Sequence, residues 1–122
     1  MSSENPESPL FDPAAIEKLR AVAGDQGDSF VKEMAQLFLE ETAKAMAEIT
    51  RARDQGDWRL VSRTAHSIKS SAATLGFMRL SAACKALEFD TKAEKETPRT
   101  RGLIDSALGL FETAGPTLKT LA

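Results

Sequence analysis

The stretch Thr64-Ala65-His66-Ser67-Ile68-Lys69-Ser70-Ser71-Ala72-Ala73-Thr74-Leu75-Gly76 reads as one amphipathic helix, and it carries the only histidine of the 122-residue chain. Together with the residues before it, apolar or small side chains fall at Trp58, Val61, Ala65, Ile68, Ala72 and Leu75. Alternating steps of three and four make a buried stripe along a helix. At about 100° per residue, His66 projects roughly 130° away from the centre of that stripe, so the imidazole is expected in water. An exposed imidazole is free to react.

Around His66 on this outer face stand Ser62 and Arg63 one turn back and Lys69 and Ser70 one turn on, with Ala73 and Gly76 beyond. These residues are small or cationic. A convex surface pared down to Ser, Ala and Gly lets another protein approach closely, and the two cations can neutralise an anion on the ring nitrogen. The pattern points to chemistry carried out with a partner.

Composition narrows what that chemistry can be. With 42% hydrophobic and 28% charged residues the chain is globular in character and long enough for one core. Sixteen basic against eighteen acidic residues give a net charge of −2 with no basic block. That balance argues against a general nucleic-acid or membrane-surface binder. The single Cys84 cannot form a disulfide within the chain, and neither a signal peptide nor a membrane-crossing apolar run is seen, so a reducing cytoplasm is expected. One His and one Cys make a metal site improbable.

Residues 1–11, rich in Ser, Glu, Asn and Pro, are expected to form a flexible tail ahead of a single domain over 12–122. Asp12-Pro13 opens a first helix that runs to Ala23 and stops at Gly24, with Ile16, Leu19 and Val22 inward. Asp28 opens a long helix to about Arg53 with a stripe of Val31, Met34, Phe38, Ala45, Ile49 and Ala52. Gly56 breaks it and Asp57 caps the next, so this helix and the His66 helix are antiparallel neighbours, and symmetric pairing sets His66 near the level of Glu41 and Ala45. Gly76 ends the His66 helix in a left-handed cap. A fourth helix, with Phe77, Leu80, Cys84 and Leu87 inward, fades near Lys95. Thr97-Pro98 starts the last helix, with Leu103, Ala107, Leu110, Phe111 and Ala114 inward until Gly115-Pro116 interrupts it. The expected fold is all-α, an antiparallel four-helix bundle with a short extra N-terminal helix.

The residues about His66 also resemble a family, the histidine-containing phosphotransfer (HPt) domains of bacterial two-component phosphorelays. The family signature is Ala-His, an aliphatic residue two positions on, Lys at the third, small residues next and Gly at the tenth. Here these are Ala65-His66, Ile68, Lys69, Ser70 to Ala73, and Gly76. Ser70 stands where many members carry Gly. The likeness extends from about Asp12 to about Leu118, through Leu37-Phe38-Leu39-Glu40 and Gly56-Asp57-Trp58.

The resemblance implies a reversible phosphorelay step in which His66, through its outer Nε2, accepts a phosphoryl group from an aspartyl phosphate on a receiver domain and passes it to another. Imidazole suits this work, since an unperturbed pKa of about 6.5 leaves a neutral, nucleophilic nitrogen near pH 7. Phosphoryl transfer needs positioning and charge neutralisation more than covalent help, and Lys69 supplies part of the latter. Ser62, Arg63, Ser70, Ala73 and Gly76 would form the docking face. Glu41 is a further candidate, to orient the imidazole or line that face. Partners would be receiver domains of response regulators or of a hybrid sensor histidine kinase. The chain is expected to act as a monomer without cofactor, nucleic acid or membrane, the Mg²⁺ implied by the family belonging to the receiver. No Gly-rich phosphate loop is present, so the expectation is a phosphocarrier and not a kinase.

Blander readings stand beside these. A lone helical His is most often an ordinary solvated side chain, exposed Lys and Arg are commonplace, and Gly76 caps a helix whatever else it does. Cys84, the Met and Phe residues and Trp58 read as packing. Two other functions compete: a helical adaptor docking signalling partners through the same face without phosphotransfer, and the phosphoacceptor helix pair of a sensor kinase. The second fits poorly, because such helices usually place an acidic residue directly after the His, where Ser67 stands here.

Overall fold

The computed structural model describes residues 10–122, and the greater part of the expected flexible tail therefore lies outside the described residues. Its inner edge is ordered: the Phe11 ring lies 5.1 Å from that of Phe77, and the Asp12 N–H donates to the Gly76 carbonyl at 2.8 Å. Helix α1 spans Pro13–Ala23, begun by the Asp12 carboxylate accepting the Ala14 N–H at 3.0 Å. A single 3₁₀ turn, Gly24–Gln26, leads into α2, Gly27–Gln55. Helix α3 is Trp58–Thr74, α4 is Met78–Thr91 and α5 is Thr100–Leu121.

The two tightest connections are built alike. At the end of α2, Gly56 is left-handed (φ 70°), and the Asp57 N–H returns to the Ala52 carbonyl while that of Gly56 returns to Arg53. At the end of α3, Gly76 (φ 88°) and Phe77 return to Ala73 and Ala72 in the same pattern. These are Schellman caps, which satisfy the last carbonyls of a helix and reverse the chain within two or three residues. The helices on either side of each must therefore lie antiparallel and adjacent.

Helix α2 packs on α3 and α5, α3 on α4, and α4 on α5, so the four long helices form a ring in chain order, an antiparallel four-helix bundle; α1 lies against α2. The stripe Trp58, Val61, Ala65, Ile68, Ala72 and Leu75 is buried throughout, together with Phe77 of the turn and Leu80, Cys84 and Leu87 from α4. Rings of Phe38 and Phe77 stack with centroids 6.1 Å apart, and Phe111 meets Phe38 edge-on at 6.5 Å, tying α2 and α5 to the α3–α4 turn. Trp58 anchors the other end, with the Arg101 guanidinium 5.8 Å above its ring. Burial pushes the Cys84 thiol up to about 12, which leaves it an inert packing group.

Three expectations need correction. Val22 is 82% exposed, because six residues after the buried Ile16 it is turned about 120° from it. Helix α4 ends at Thr91 and not near Lys95, where Glu94 takes a left-handed conformation (φ 61°) that no helix accommodates. Helix α5 continues through Gly115-Pro116 to Leu121. Pro116 and Glu112, the residue whose carbonyl it leaves without a helical partner, are both exposed, while buried Ala114 and Leu118 hold the last turns to the core. Thr97-Pro98 does prepare α5, as a turn: the Thr97 hydroxyl accepts the Arg99 N–H, and Asp90 of α4 accepts the hydroxyls of Thr97 and Thr100 at 2.6 Å each.

Candidate functional site

His66 stands in the middle of α3 with its side chain 63% exposed. The opposite face of this helix is filled by the buried stripe, which fixes the rotation of α3 about its axis and so points the imidazole outward. Its ring leans toward α4. There Nδ1 meets Glu88 Oε2 at 2.6 Å, and the other carboxylate oxygen, Oε1, accepts from Lys69 Nζ at 2.6 Å. One carboxylate on α4 thus holds both candidate site residues of α3.

Backbone ties fix the position of Glu88 itself. The Ser62 hydroxyl donates to the Glu88 carbonyl at 3.2 Å, and the Ser81 hydroxyl donates to the Lys69 carbonyl at 2.8 Å. The two bonds clamp α3 to α4 on either side of the His66–Lys69–Glu88 cluster, and a site assembled on two helices locked together is a rigid one. Burial raises the Glu88 carboxyl, but hydrogen bonds from Lys69 and His66 and their charges outweigh it and hold the group below its usual range.

The charge on Glu88 decides the state of the ring. An ionised carboxylate only accepts, so Nδ1 must donate, and in the neutral imidazole Nε2 then carries the lone pair. Nucleophilicity is directed away from α4, toward solvent. A shallow hollow at the ring is lined by Ser62, Arg63, His66 and Glu88. Arg63 also lines a second, larger depression, a groove of about 800 Å³ between α2 and α3. It is lined by buried Phe38 and Ile68 and by exposed Leu37, and its α3 wall carries Ser67, Ser70 and Ser71.

The expected site residues divide accordingly. His66, Ser62 and Arg63 come together around one hollow and Lys69 joins them through Glu88, although Ser62 is half-buried and acts as a tie. Ser70 is exposed in the α2–α3 groove, and Ala73 is half-buried. Gly76 is no part of an open face: it is buried, and a Cβ placed there would lie 2.5 Å from the Asp12 carbonyl oxygen. The α1 N-terminus covers it. Glu41 does not reach the imidazole; it lines the α2–α3 groove and pairs with Lys44 at 3.6 Å. His66 instead faces α4.

Glu88 is the residue that the sequence reading missed. A signal for it existed, since folding α3 onto α4 about Gly76 sets His66 level with Ala86, within one turn of Glu88. Glu88 also follows Leu87 of the inner stripe, at the helix flank where a side chain meets a neighbouring helix. Among the described residues no His, Cys, Asp and Glu side chains are grouped to hold a metal ion, and no helix is long and apolar enough to cross a membrane.

Comparison with known proteins adds two likenesses. The family model described as "Hpt domain" matches residues 33–114. The fold is similar to the crystal structure of histidine-containing phosphotransfer protein B (HptB) from Pseudomonas aeruginosa PAO1, with a TM-score of 0.80 over 93% of this chain and 95% of that one. Sequence identity between the two is 23%, so this likeness concerns the fold. No curated protein matches the sequence.

Proposed function

The chain belongs to the Hpt domain family, and from that premise we propose that it is a phosphorelay intermediate whose His66 accepts a phosphoryl group from the aspartyl phosphate of one receiver domain and returns it to another. The observation that carries this reading is the orientation of the ring. Glu88 holds Nδ1 at 2.6 Å, which leaves the lone pair of a 63%-exposed imidazole on Nε2. An attacking nitrogen needs an open line to phosphorus, and the convex surface of a bundle grants a partner that approach.

Lys69 stands one turn from His66 with three N–H donors, one of them given to Glu88, and can add a phosphoryl oxygen without leaving the carboxylate. Arg63, at the edge of the same hollow, supplies a second cation. Both matter because the transferring group carries negative charge that must be offset. The receiver is expected to bring the carboxylate and Mg²⁺. In this reading the chain carries phosphate and hydrolyses no nucleotide.

Incubation with phosphorylated receiver domains tests the proposal. Acid-labile, alkali-stable phosphate on His66 is the expected outcome. Receiver binding without any such phosphate would leave the chain a helical adaptor.

A further inference from the structure

Helix α4 is apolar on two opposite sides. Its inner side buries Leu80, Cys84 and Leu87. Its outer side carries Met78, Ala82, Lys85, Phe89 and, at the cap, Lys92. Steps of four, three, four and three residues set these five on one line along the helix, about 180° from the buried side.

A solvent-facing line on a bundle helix is ordinarily charged or polar. Here Phe89 is 79% exposed, and it and Met78 are two of the four large apolar side chains that the described residues leave in water. Of the other two, Leu37 lines the α2–α3 groove and Val22 lies on α1. A single exposed apolar residue is commonplace, whereas an aromatic ring in line with Met78 and Ala82 forms a strip of the kind that takes a partner.

Charge decides which partner fits. The carboxylates of α4 are turned to its flanks and engaged there, Glu88 with His66 and Lys69, Asp90 with the hydroxyls of Thr97 and Thr100. Beyond the helix, Glu94 pairs with Arg59 and Glu96 with Arg101. Lys85 and Lys92 stand exposed on either side of Phe89, and among the described residues neither enters an ion pair. The strip is therefore locally positive on a chain of net charge −2. A second copy would set lysines against lysines. A helix of 14 residues, about 21 Å long, also offers far less than the roughly 800 Å² per partner of a stable dimer.

We propose that this face of α4 docks an acidic amphipathic helix of a partner protein, whose apolar residues cover Phe89 and Met78 and whose carboxylates meet Lys85 and Lys92. The two lysines are seven residues apart, about 10.5 Å along the axis, which matches positions i and i+7 of an incoming helix. Glu88, next to Phe89 in the chain, lines the hollow at His66, so the docked helix lies beside the imidazole. The α2–α3 groove, on the other side of α3, stays uncovered. This docking needs no phosphate on His66 and goes beyond the phosphotransfer reading.

The test titrates the full chain with a synthetic helical peptide that carries leucines on one face and two glutamates seven residues apart at its edge. Fluorescence anisotropy gives the affinity, and amide shifts of the ¹⁵N-labelled chain locate the contact. Shifts are expected to cluster on residues 78–93. Affinity should fall about tenfold or more in Phe89→Ser and in the double variant Lys85→Glu/Lys92→Glu, with circular dichroism confirming that both stay folded. A peptide with lysines in place of the glutamates should prefer that double variant to the parent, a reversal that apolar adhesion to Phe89 alone cannot produce. Failure of the acidic peptide to bind the parent, shifts confined to the α2–α3 groove, or no exchange of preference between the charge-reversed pair would each overturn the proposal. Anionic lipid vesicles and sedimentation of the chain alone run beside it. Capture by vesicles, or self-association lost in Phe89→Ser, in place of peptide binding would assign the strip to a membrane surface or to a second copy and overturn it likewise.

Discussion

Asp12 and Gly76 meet backbone to backbone: the Asp12 N–H donates to the Gly76 carbonyl at 2.8 Å, and the Asp12 carbonyl oxygen lies 2.5 Å from where a Gly76 Cβ would stand. The first residue of the α1 cap is thereby fastened to the turn between α3 and α4. Gly76→Ala should lower stability by about 2 kcal/mol or more, since a left-handed φ of 88° and a backbone clash act together. Denaturant melting of the variant checks this, and an unchanged midpoint would mean that α1 does not sit on the turn in solution. His66, ten residues away, should still accept phosphate below the melting range.

That contact also shows where sequence periodicity stops being informative. Stripes at helical spacing located the helices, because burying one face is what keeps each helix folded, and Gly56 and Gly76 marked both tight turns for the reason that left-handed caps need them. Periodicity reports which face is inward within one helix. It says nothing of which neighbour a flank residue meets, so Gly76 read as part of an open face when α1 in fact lies over it. Glu88 escaped notice for the same reason, lying beside the stripe and not on it. Pro116 is a different case: a proline disfavours a helix interior through a lost hydrogen bond and a clash one turn back, and here the helix continues because buried Ala114 and Leu118 hold it to the core, a tertiary contribution that local sequence does not report.

His66→Gln should abolish acid-labile labelling while leaving helicity unchanged. Among the described residues its side chain pairs with Glu88, which keeps Lys69 in the variant, so the cluster loses one bond and not its hold on α3. Circular dichroism and a labelling assay side by side decide it. Acid-labile phosphate persisting in the variant would remove His66 from the role proposed for it.

Lys69→Ala should slow transfer while costing about 1 kcal/mol or less, the usual scale for an ion pair that water still reaches. The pair with Glu88 makes this dearer than loss of a free surface lysine, since both side chains are about one-quarter exposed, 27% and 25%. Single-turnover rates with a phosphorylated receiver supply the measurement. An unaltered rate would confine Lys69 to tying α3 and α4 together.

The depressed Glu88 carboxyl predicts a pH signature in stability. Its ordinary value is 4.5, and a group held lower than that in the folded state adds stability that is complete above the unfolded value and vanishes as pH falls through the folded one. Parent and Glu88→Gln should therefore differ most above the ordinary carboxylate range, with the parent more stable, and converge as pH falls below it and Glu88 takes up its proton. Melting both proteins across that range checks the sign. A gap that stays constant with pH would show that it arises from packing and not from the charge.

The last prediction concerns where a receiver rests. Ser70 is exposed on the α3 wall of the α2–α3 groove, and Arg63 joins that groove to the hollow at His66, so a partner covering His66 on this side must cover Ser70. Ala73 lies seven residues after His66, on nearly the same helix face, but it is half-buried and a large side chain there would disturb α3 itself. Ser70→Trp is consequently the cleaner probe. An exposed helical position tolerates the change within about 0.5 kcal/mol, so the isolated fold should survive. Affinity for a cognate receiver should fall by about 1 kcal/mol or more, as expected when a central interface position is obstructed. Labelling of His66 by phosphoramidate, a donor too small to touch Ser70, should stay as it was. Titration of the variant with receiver, alongside that labelling, separates the possibilities. Unchanged affinity would move the docking face to the α4 side of His66, while lost labelling by the small donor would mean that the substitution had damaged the site and not the interface.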